Sequence, residues 1–309
     1  MKNIILFLSL FGLIFAGCKK NEPVESEGDR HIVIFFKGAN SASALKSTAS
    51  DEEDALEKVI LYGVNGSSII TFTDTIENPL PTGNEITIPR SIVVETFYAI
   101  ANPSEGLETE LESIELSDPV SDLTALLNDF SHAPQSPFLM AGKGPVSGFS
   151  ATVDLYRAVA KIEIIAINNF EFSTVTVINT RTEGFVFNQT PFPSLALAAL
   201  DSASYVPVPP TSLTNDTTIL YVAESPKEEP VKFKVKGVFT GGDLIGKTAA
   251  YTFALQQDKK NIDIVRNTRY RVHISPITED EFKLDFVIVP WDDQDADPVF
   301  IPEENIVEP

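Results

Sequence analysis

The chain has 309 residues, length enough for two domains at roughly 100–200 residues each, and 43% of them are hydrophobic. It carries 44 acidic against 23 basic residues, a formal net charge of −21, which argues against nucleic acid or an anionic membrane surface as a partner, since both attract basic surfaces. A single cysteine rules out an internal disulfide, so packing and hydrogen bonds must supply the stability.

Lys2 gives the chain a positive start. Ile4 to Phe15 form an apolar stretch shorter than the roughly 20 residues of a spanning helix, and Ala16-Gly17 place small residues ahead of Cys18. Residues 1–17 read as a bacterial lipoprotein signal. In such signals the cysteine becomes the first mature residue and carries lipid on its thiol; here Phe15 stands where leucine is more usual. The expected location is the cell surface, with the body held at the outer membrane through lipid (palmitate) on Cys18. Residues 18–30 are polar and acidic, with little apolar surface to offset the entropy of ordering, and read as a flexible tether.

Short runs of β-branched and aromatic residues follow: His31 to Lys37, Lys58 to Val64, Ser68 to Thr73, Ile86 to Pro89 and Ile92 to Ala101. Glycine, proline, asparagine or aspartate closes each one, as in an all-β domain. In the run 31–37, Ile32, Ile34 and Phe36 lie on one face and Val33 and Phe35 on the other, so this strand can close a sandwich from within its own chain. The loop 38–50 is small and polar, a suitable protease target. Asp51 to Asp54, with Glu57, reads as a solvated charged loop. Asp118 can cap a helix and Pro119 suits its first position. Val120, Leu123, Leu126, Leu127 and Phe130 then recur at helical spacing.

Residues 132–148 are rich in proline and glycine and read as a junction, with the domain boundary near 150. The stretch from Phe149 to Ile164 is a long strand-like pattern, bent or broken in its middle. Further strands are expected at Thr174 to Ile178, Thr217 to Ala223, Val231 to Phe239, Ala249 to Leu255, Thr268 to Ser275 and Phe282 to Val289, with a proline-punctuated connection from Pro191 to Pro210. Strands at this density without alternating helices favour an all-β fold of antiparallel sandwiches. Trp291 is expected to pack a strand end against a core.

Catalytic constellations are missing. His31, His132 and His273 have no metal-ligand spacing, and there is neither a Gly-x-Ser-x-Gly motif nor a glycine-rich phosphate loop. No catalytic residues, metal ligands or cofactor are assigned, and the chain is not expected to be an enzyme. Asp293, Asp295 and Asp297 take the first three ligand positions of an EF-hand loop and Glu304 its last, but Pro298 stands where that loop needs glycine. The run 292–297 reads as a solvated acidic loop, with loose calcium binding in another geometry as the alternative.

Four segments resemble the Bacteroidales fimbrillins, FimA-like subunits of surface fimbriae. Leu155-Tyr156-Arg157-Ala158-Val159-Ala160-Lys161-Ile162-Glu163-Ile164 is similar to the arginine-alanine-x-alanine-lysine strand that opens their second domain. Leu56 to Gly66 resembles the first strand after their processing loop. Asn267-Thr268-Arg269-Tyr270-Arg271-Val272 resembles their asparagine-threonine-x-tyrosine strand, and Val289-Pro290-Trp291 the ending of their last core strand.

The resemblance implies two transthyretin-like β-sandwich domains, 31–148 with a short helix and 149–309. It implies export as a lipoprotein and a trypsin-like surface protease that cuts after the first strand and releases it. The open groove is then filled by an extended segment of another fimbrial subunit, a case of β-strand addition. Family processing is arginine-specific, but the loop 38–50 has no arginine, and a cut at Arg30 would leave the strand attached. A cut within the loop therefore falls after Lys46, before Ser47, or depends on a different enzyme. The tail 297–309 holds the candidate donor strand, with Val299, Phe300, Ile301, Ile306 and Val307, although Pro298 and Pro302 limit how much of it can join a ladder. An ordinary packed tail is the alternative. The implied function is a pilin-like fimbrial subunit contributing to adhesion. The alternative is an unprocessed surface lipoprotein, an anchor or tip component that binds glycan or host protein. Asp74-Thr75-Ile76, Asp201-Ser202-Ala203 and Asp216-Thr217-Thr218 resemble a short O-glycosylation sequon.

Overall fold

The computed structural model describes residues 29–38, 52–167, 169–188, 202–205 (backbone only) and 217–291. The expectations for Cys18, Lys46, Ser47, the acidic run 292–297, and Val299, Phe300, Ile301, Ile306 and Val307 fall outside them.

In chain order the first half holds β1 (Arg30–Lys37), β2 (Lys58–Val64), β3 (Ile70–Glu77), β4 (Asn84–Ile88), β5 (Thr96–Ala101), α1 (Glu105–Leu111), α2 (Val120–Thr124), β6 (Leu127–Asp129), β7 (Met140–Ser147) and β8 (Ser150–Arg157). The second holds β9 (Val159–Ala166), β10 (Phe170–Arg181), β11 (Glu183–Phe185), β12 (Ser202–Tyr205), β13 (Thr217–Ala223), β14 (Lys232–Phe239), β15 (Thr248–Ala254), β16 (Gln256–Gln257), β17 (Lys260–Asn261), β18 (Thr268–Pro276) and β19 (Phe282–Pro290). The protein is mostly β, as the run density implies.

Seven strands of the first half form one sheet in the order β3-β2-β5-β7-β8-β1-β4. Alternate residues of all seven point into a single apolar cluster, among them Ile34, Leu61, Phe72, Ile86, Phe97, Met140 and Val153, so the sheet curls around its own core. In the second half two four-stranded sheets, β13-β9-β18-β19 and β12-β10-β14-β15, face each other across a second cluster that includes Ile162, Phe170, Phe233, Tyr251 and Val272. A third cluster joins the halves: Tyr62, Leu107, Leu123 and Phe138 from one meet Val159, Val186, Ala223 and Trp291 from the other.

The strand-like stretch 149–164 breaks at Ala158. β8 pairs with β7 and β1, whereas β9 pairs with β13 and β18. The passage from one core to the other therefore lies at Ala158 rather than near residue 150. Local pattern could not reveal this, because both strands are apolar on the buried side and differ only in their distant partners.

The expected helix from Pro119 to Phe130 is cut short. Only Val120–Thr124 is helical, and Pro119 takes the cap position without a side-chain bond. The Asp118 carboxylate accepts instead from the Glu115 amide at 2.8 Å. Leu127–Asp129 forms a strand because β11 pairs with it, a tertiary contact that overrides local helical spacing. A further helix, α1, precedes α2. Ser104 Oγ accepts from the Leu107 amide, Glu105 and Glu108 lie in the first turn, and Leu107 and Leu111 are buried. The Ser104 cap and the Leu107–Leu111 pair carry its signal in the sequence, with Gly106 weakening it.

Gly142 sets how closely β7 and β8 approach: a Cβ there would lie 1.7 Å from the Asp154 carbonyl oxygen. Gly142→Ala is expected to force the two strands apart and to cost about 2 kcal/mol or more, read as a lower denaturant midpoint. An unchanged midpoint contradicts this account of the pairing.

Candidate functional site

β1 fills a slot. It runs antiparallel to β4, Ile32 opposite Ile86, and parallel to β8, Ile34 opposite Ala151. Ile32, Ile34 and Phe36 are 1%, 0% and 8% exposed, while Phe35 on the opposite face is 37% exposed and Val33 is half-buried. The two-faced alternation read from sequence is what orients the strand. Burying each of the three inward side chains contributes about 1.5–3 kcal/mol. Among the described residues β4 has no strand partner but β1, so β4 joins the sheet only through it.

Both ends of the slot are fixed. At the start, the Arg30 guanidinium donates to the Ile92 carbonyl at 2.7 Å. At the exit, Gly38 has φ +89°, and a Cβ there would sit 2.3 Å from the Leu155 carbonyl. Only glycine takes this conformation without strain while passing so close to β8. Gly38→Ala is expected to loosen β1 by about 1–3 kcal/mol, measured as faster amide exchange along β1 and β4 than along β2; equal rates in variant and wild type count against it.

The chain re-enters the described structure at Glu52, and there it is clamped. Glu53, only 4% exposed, accepts from Lys161 Nζ at 2.9 and 3.0 Å and from the Tyr221 hydroxyl. Asp54 pairs with the Arg157 guanidinium. Arg157 is 0% exposed; it also donates to Asn267 Oδ1 at 2.9 Å and lies over the Trp291 ring, 4.8 Å from its centroid. Trp291 stacks on Tyr221 at an interplanar angle of 17°, with Lys161 Nζ 5.8 Å from the indole centroid. Asn102 holds the next residues, donating to the Ala55 carbonyl at 2.8 Å and accepting from the Glu57 amide at 2.9 Å. Burial, reinforced by the Glu53 charge and hydrogen bond, pushes the Tyr221 phenol far above its ordinary value, so the hydroxyl remains a donor.

The solvated-loop reading of Asp51 to Asp54 thus fails at Glu53. Arg157 and Lys161 stand at apolar-patterned positions and need buried counter-charges; the run just after the loop supplies them. That demand was the signal for Glu53 and Asp54. Trp291 does pack a strand end against a core, as expected, and also provides the aromatic plate of the clamp. Among the described residues no group of three or more His, Cys, Asp or Glu side chains is placed to hold a metal ion; His31 lies in β1, His273 in β18 and His132 in the connection between β6 and β7.

No protein-family model and no curated protein sequence matches the chain. Solved structures do. The tip fimbrial protein Mfa3 from Porphyromonas gingivalis, with its C-terminus truncated, is similar at a TM-score of 0.59 and 13% identity, covering 85% of this chain and 100% of its own. A fimbrial assembly protein from Parabacteroides distasonis matches at 0.54 and 14%, covering 89% of this chain and 100% of its own. A candidate cell adhesion protein from Bacteroides eggerthii matches at 0.56 and 13%, covering 85% and 96%. The chain shares its fold with these Bacteroidales fimbrial and adhesion proteins.

Proposed function

We propose that this chain is a structural, non-enzymatic component of a cell-surface fimbrium, exported as a lipoprotein on Cys18 and joined to other fimbrial subunits by strand exchange in the slot that β1 fills. One observation carries this reading. An N-terminal strand sits inside the sheet between β4 and β8, and a clamp keeps the chain in place from Glu53 onward; the sequence between them is polar. Cutting within that stretch frees β1 without loosening β2. The two apolar cores are read as the two transthyretin-like sandwich domains of such subunits, and the shared fold supports that reading.

Within this scheme the clamp sets the downstream limit of processing. Lys46 and Lys58 are consecutive basic residues in the sequence, but Lys58 begins β2 and pairs with Glu108 at 3.0 Å. Limited trypsin treatment is expected to cut after Lys46 and to spare Lys58. Early cleavage after Lys58 counts against the clamp as a limit.

The absence of arginine between residues 38 and 50 favours a second reading, an anchor or tip component that keeps its lipid and β1. The N-terminus of the protein taken from cells separates the two. Ser47 without lipid is the stalk result, and lipidated Cys18 at the surface is the anchor result. An unmodified Met1 in the cytoplasm contradicts both.

A further inference from the structure

On the outer face of the seven-stranded sheet, Tyr98 of β5, Lys143 of β7 and Asp154 of β8 stand side by side in register. The adjacent row is Ile100, Ala141 and Tyr156. Ala141 is small, so the surface dips between the two tyrosines, which lie two strand spacings and one row apart, about 12 Å. Val120 and Thr124 of α2 and the Phe187-Asn188 segment wall the dip into a pocket of about 530 Å³, within the roughly 300–1,000 Å³ typical of small-ligand sites. It lies at the margin of the face covered by the junction cluster, where Phe187 and Ala141 are buried while Tyr156 is 41% exposed.

Several polar groups here are left free by the fold; the Thr124 hydroxyl is not among them, since it donates to the Ser121 carbonyl at 3.3 Å. Lys143 faces Asp154 across the ladder, yet its ammonium lies over the Tyr98 ring, 5.7 Å from the centroid. Asp154, Asn188 and the hydroxyls of Tyr98 and Tyr156 make no side-chain hydrogen bond or ion pair among the described residues. The Phe187 ring meets Tyr98 edge-on at 5.6 Å and 70° and fixes its orientation. Gly142 holds β7 close against the Asp154 backbone, so the floor is rigid. The pocket is therefore pre-formed, with two aromatic surfaces and an unused acceptor, an unused amide and an ammonium between them.

The geometry points to a binding site for a neutral saccharide, one or two pyranose rings in size. A pyranose has apolar C–H faces that pack on aromatic rings, and hydroxyls that need both acceptors and donors; the pocket offers both. Phosphorylated or sulfated ligands fit poorly, because the Asp154 carboxylate, between Lys143 and Lys37 in register, faces them directly and the net charge of −21 repels anions. An apolar peptide would leave these polar groups desolvated and unpaired. Glycoside cleavage needs a pair of carboxyl groups; among the described residues Asp154 is the one carboxylate lining the pocket, and the site is read as one of binding. No β1 side chain lines the pocket among the described residues, although β1 pairs with β8 beside it, Lys37 opposite Asp154.

The test is saturation-transfer NMR and calorimetry on the full chain, with methyl glycosides of neutral hexoses and N-acetylhexosamines as probes. At least one is expected to bind with a Kd of about 1 mM. Tyr156→Ala and Asp154→Asn should each weaken it about tenfold or more, with the thermal midpoint unchanged because both side chains are at the surface. No binding at about 50 mM probe, or binding that both variants retain at wild-type affinity, overturns the proposal. Because the readout is monomeric binding, a failure here leaves the fimbrial reading standing, and a failure of polymerisation leaves this site standing.

Discussion

Glu53→Ala is expected to lower stability by about 3–5 kcal/mol, the usual cost of breaking a buried ion pair from one side. The variant leaves the Lys161 ammonium, 7% exposed, without the carboxylate that meets it at 2.9 and 3.0 Å; the other acid near it is Glu163 at 3.9 Å, already bonded to Arg271. The Tyr221 hydroxyl loses its hydrogen bond to Glu53 at the same time. Glu53→Gln keeps an acceptor of the same shape and should fall between the two. Replacing both members, Glu53→Leu with Lys161→Met, should recover much of the loss, since the stranded charge is what costs most. Denaturant unfolding of wild type and the three variants ranks these losses. A Glu53→Ala midpoint equal to wild type would contradict the clamp. The buried phenol adds a pH dependence. The folded Tyr221 pKa is raised above its ordinary 10.0, so the stability it lends is complete below pH 10 and is lost as pH rises beyond that value.

The second large effect belongs to β1. A chain lacking residues 30–37 is expected to lose on the order of 5 kcal/mol or more, from three buried side chains at about 1.5–3 kcal/mol each and from the ladder bonds to β4 and β8. Whole-domain stabilities are about 5–15 kcal/mol, so the first half should become partly open or aggregation-prone, with β4 cut off from the sheet and the β8 edge unpaired. Adding a synthetic peptide of residues 29–38 should restore slow amide exchange in β4 and β8. Ile34→Asp in the intact chain should behave similarly, because Ile34 is 0% exposed and a buried carboxylate there would have no partner. Native exchange protection in β4 without β1 or peptide would show that the slot is closed by something else.

Much of this was legible from local chemistry. The alternation of Ile32, Ile34 and Phe36 against Val33 and Phe35 gave both the strand and its inward face, since period-2 patterning depends only on the strand itself. The all-β class followed from strand density and turn residues. What could not be read were features decided by distant partners: the switch of sheets at Ala158, the strand at Leu127–Asp129 created by β11, and the burial of Glu53 by Lys161 and Tyr221, more than a hundred residues away in the chain. A charge run is usually solvated, and here the exception is signalled only by the cations it must neutralise. The outer-face pocket was equally hidden, because Tyr98, Lys143, Asp154 and Tyr156 become neighbours only through the register of β5, β7 and β8.

Whether the β1 slot joins one copy to the next is tested most directly by placing a specific protease site between Gly38 and Ser50 in the lipid-free chain. Mass is then followed by light scattering before and after the cut. A monomer that becomes a linear polymer only after cutting, and is held monomeric by excess peptide of residues 29–38, is the predicted result. A cut chain that sheds β1 and stays monomeric, or polymers that form at the same rate with the peptide present, would contradict assembly through this slot.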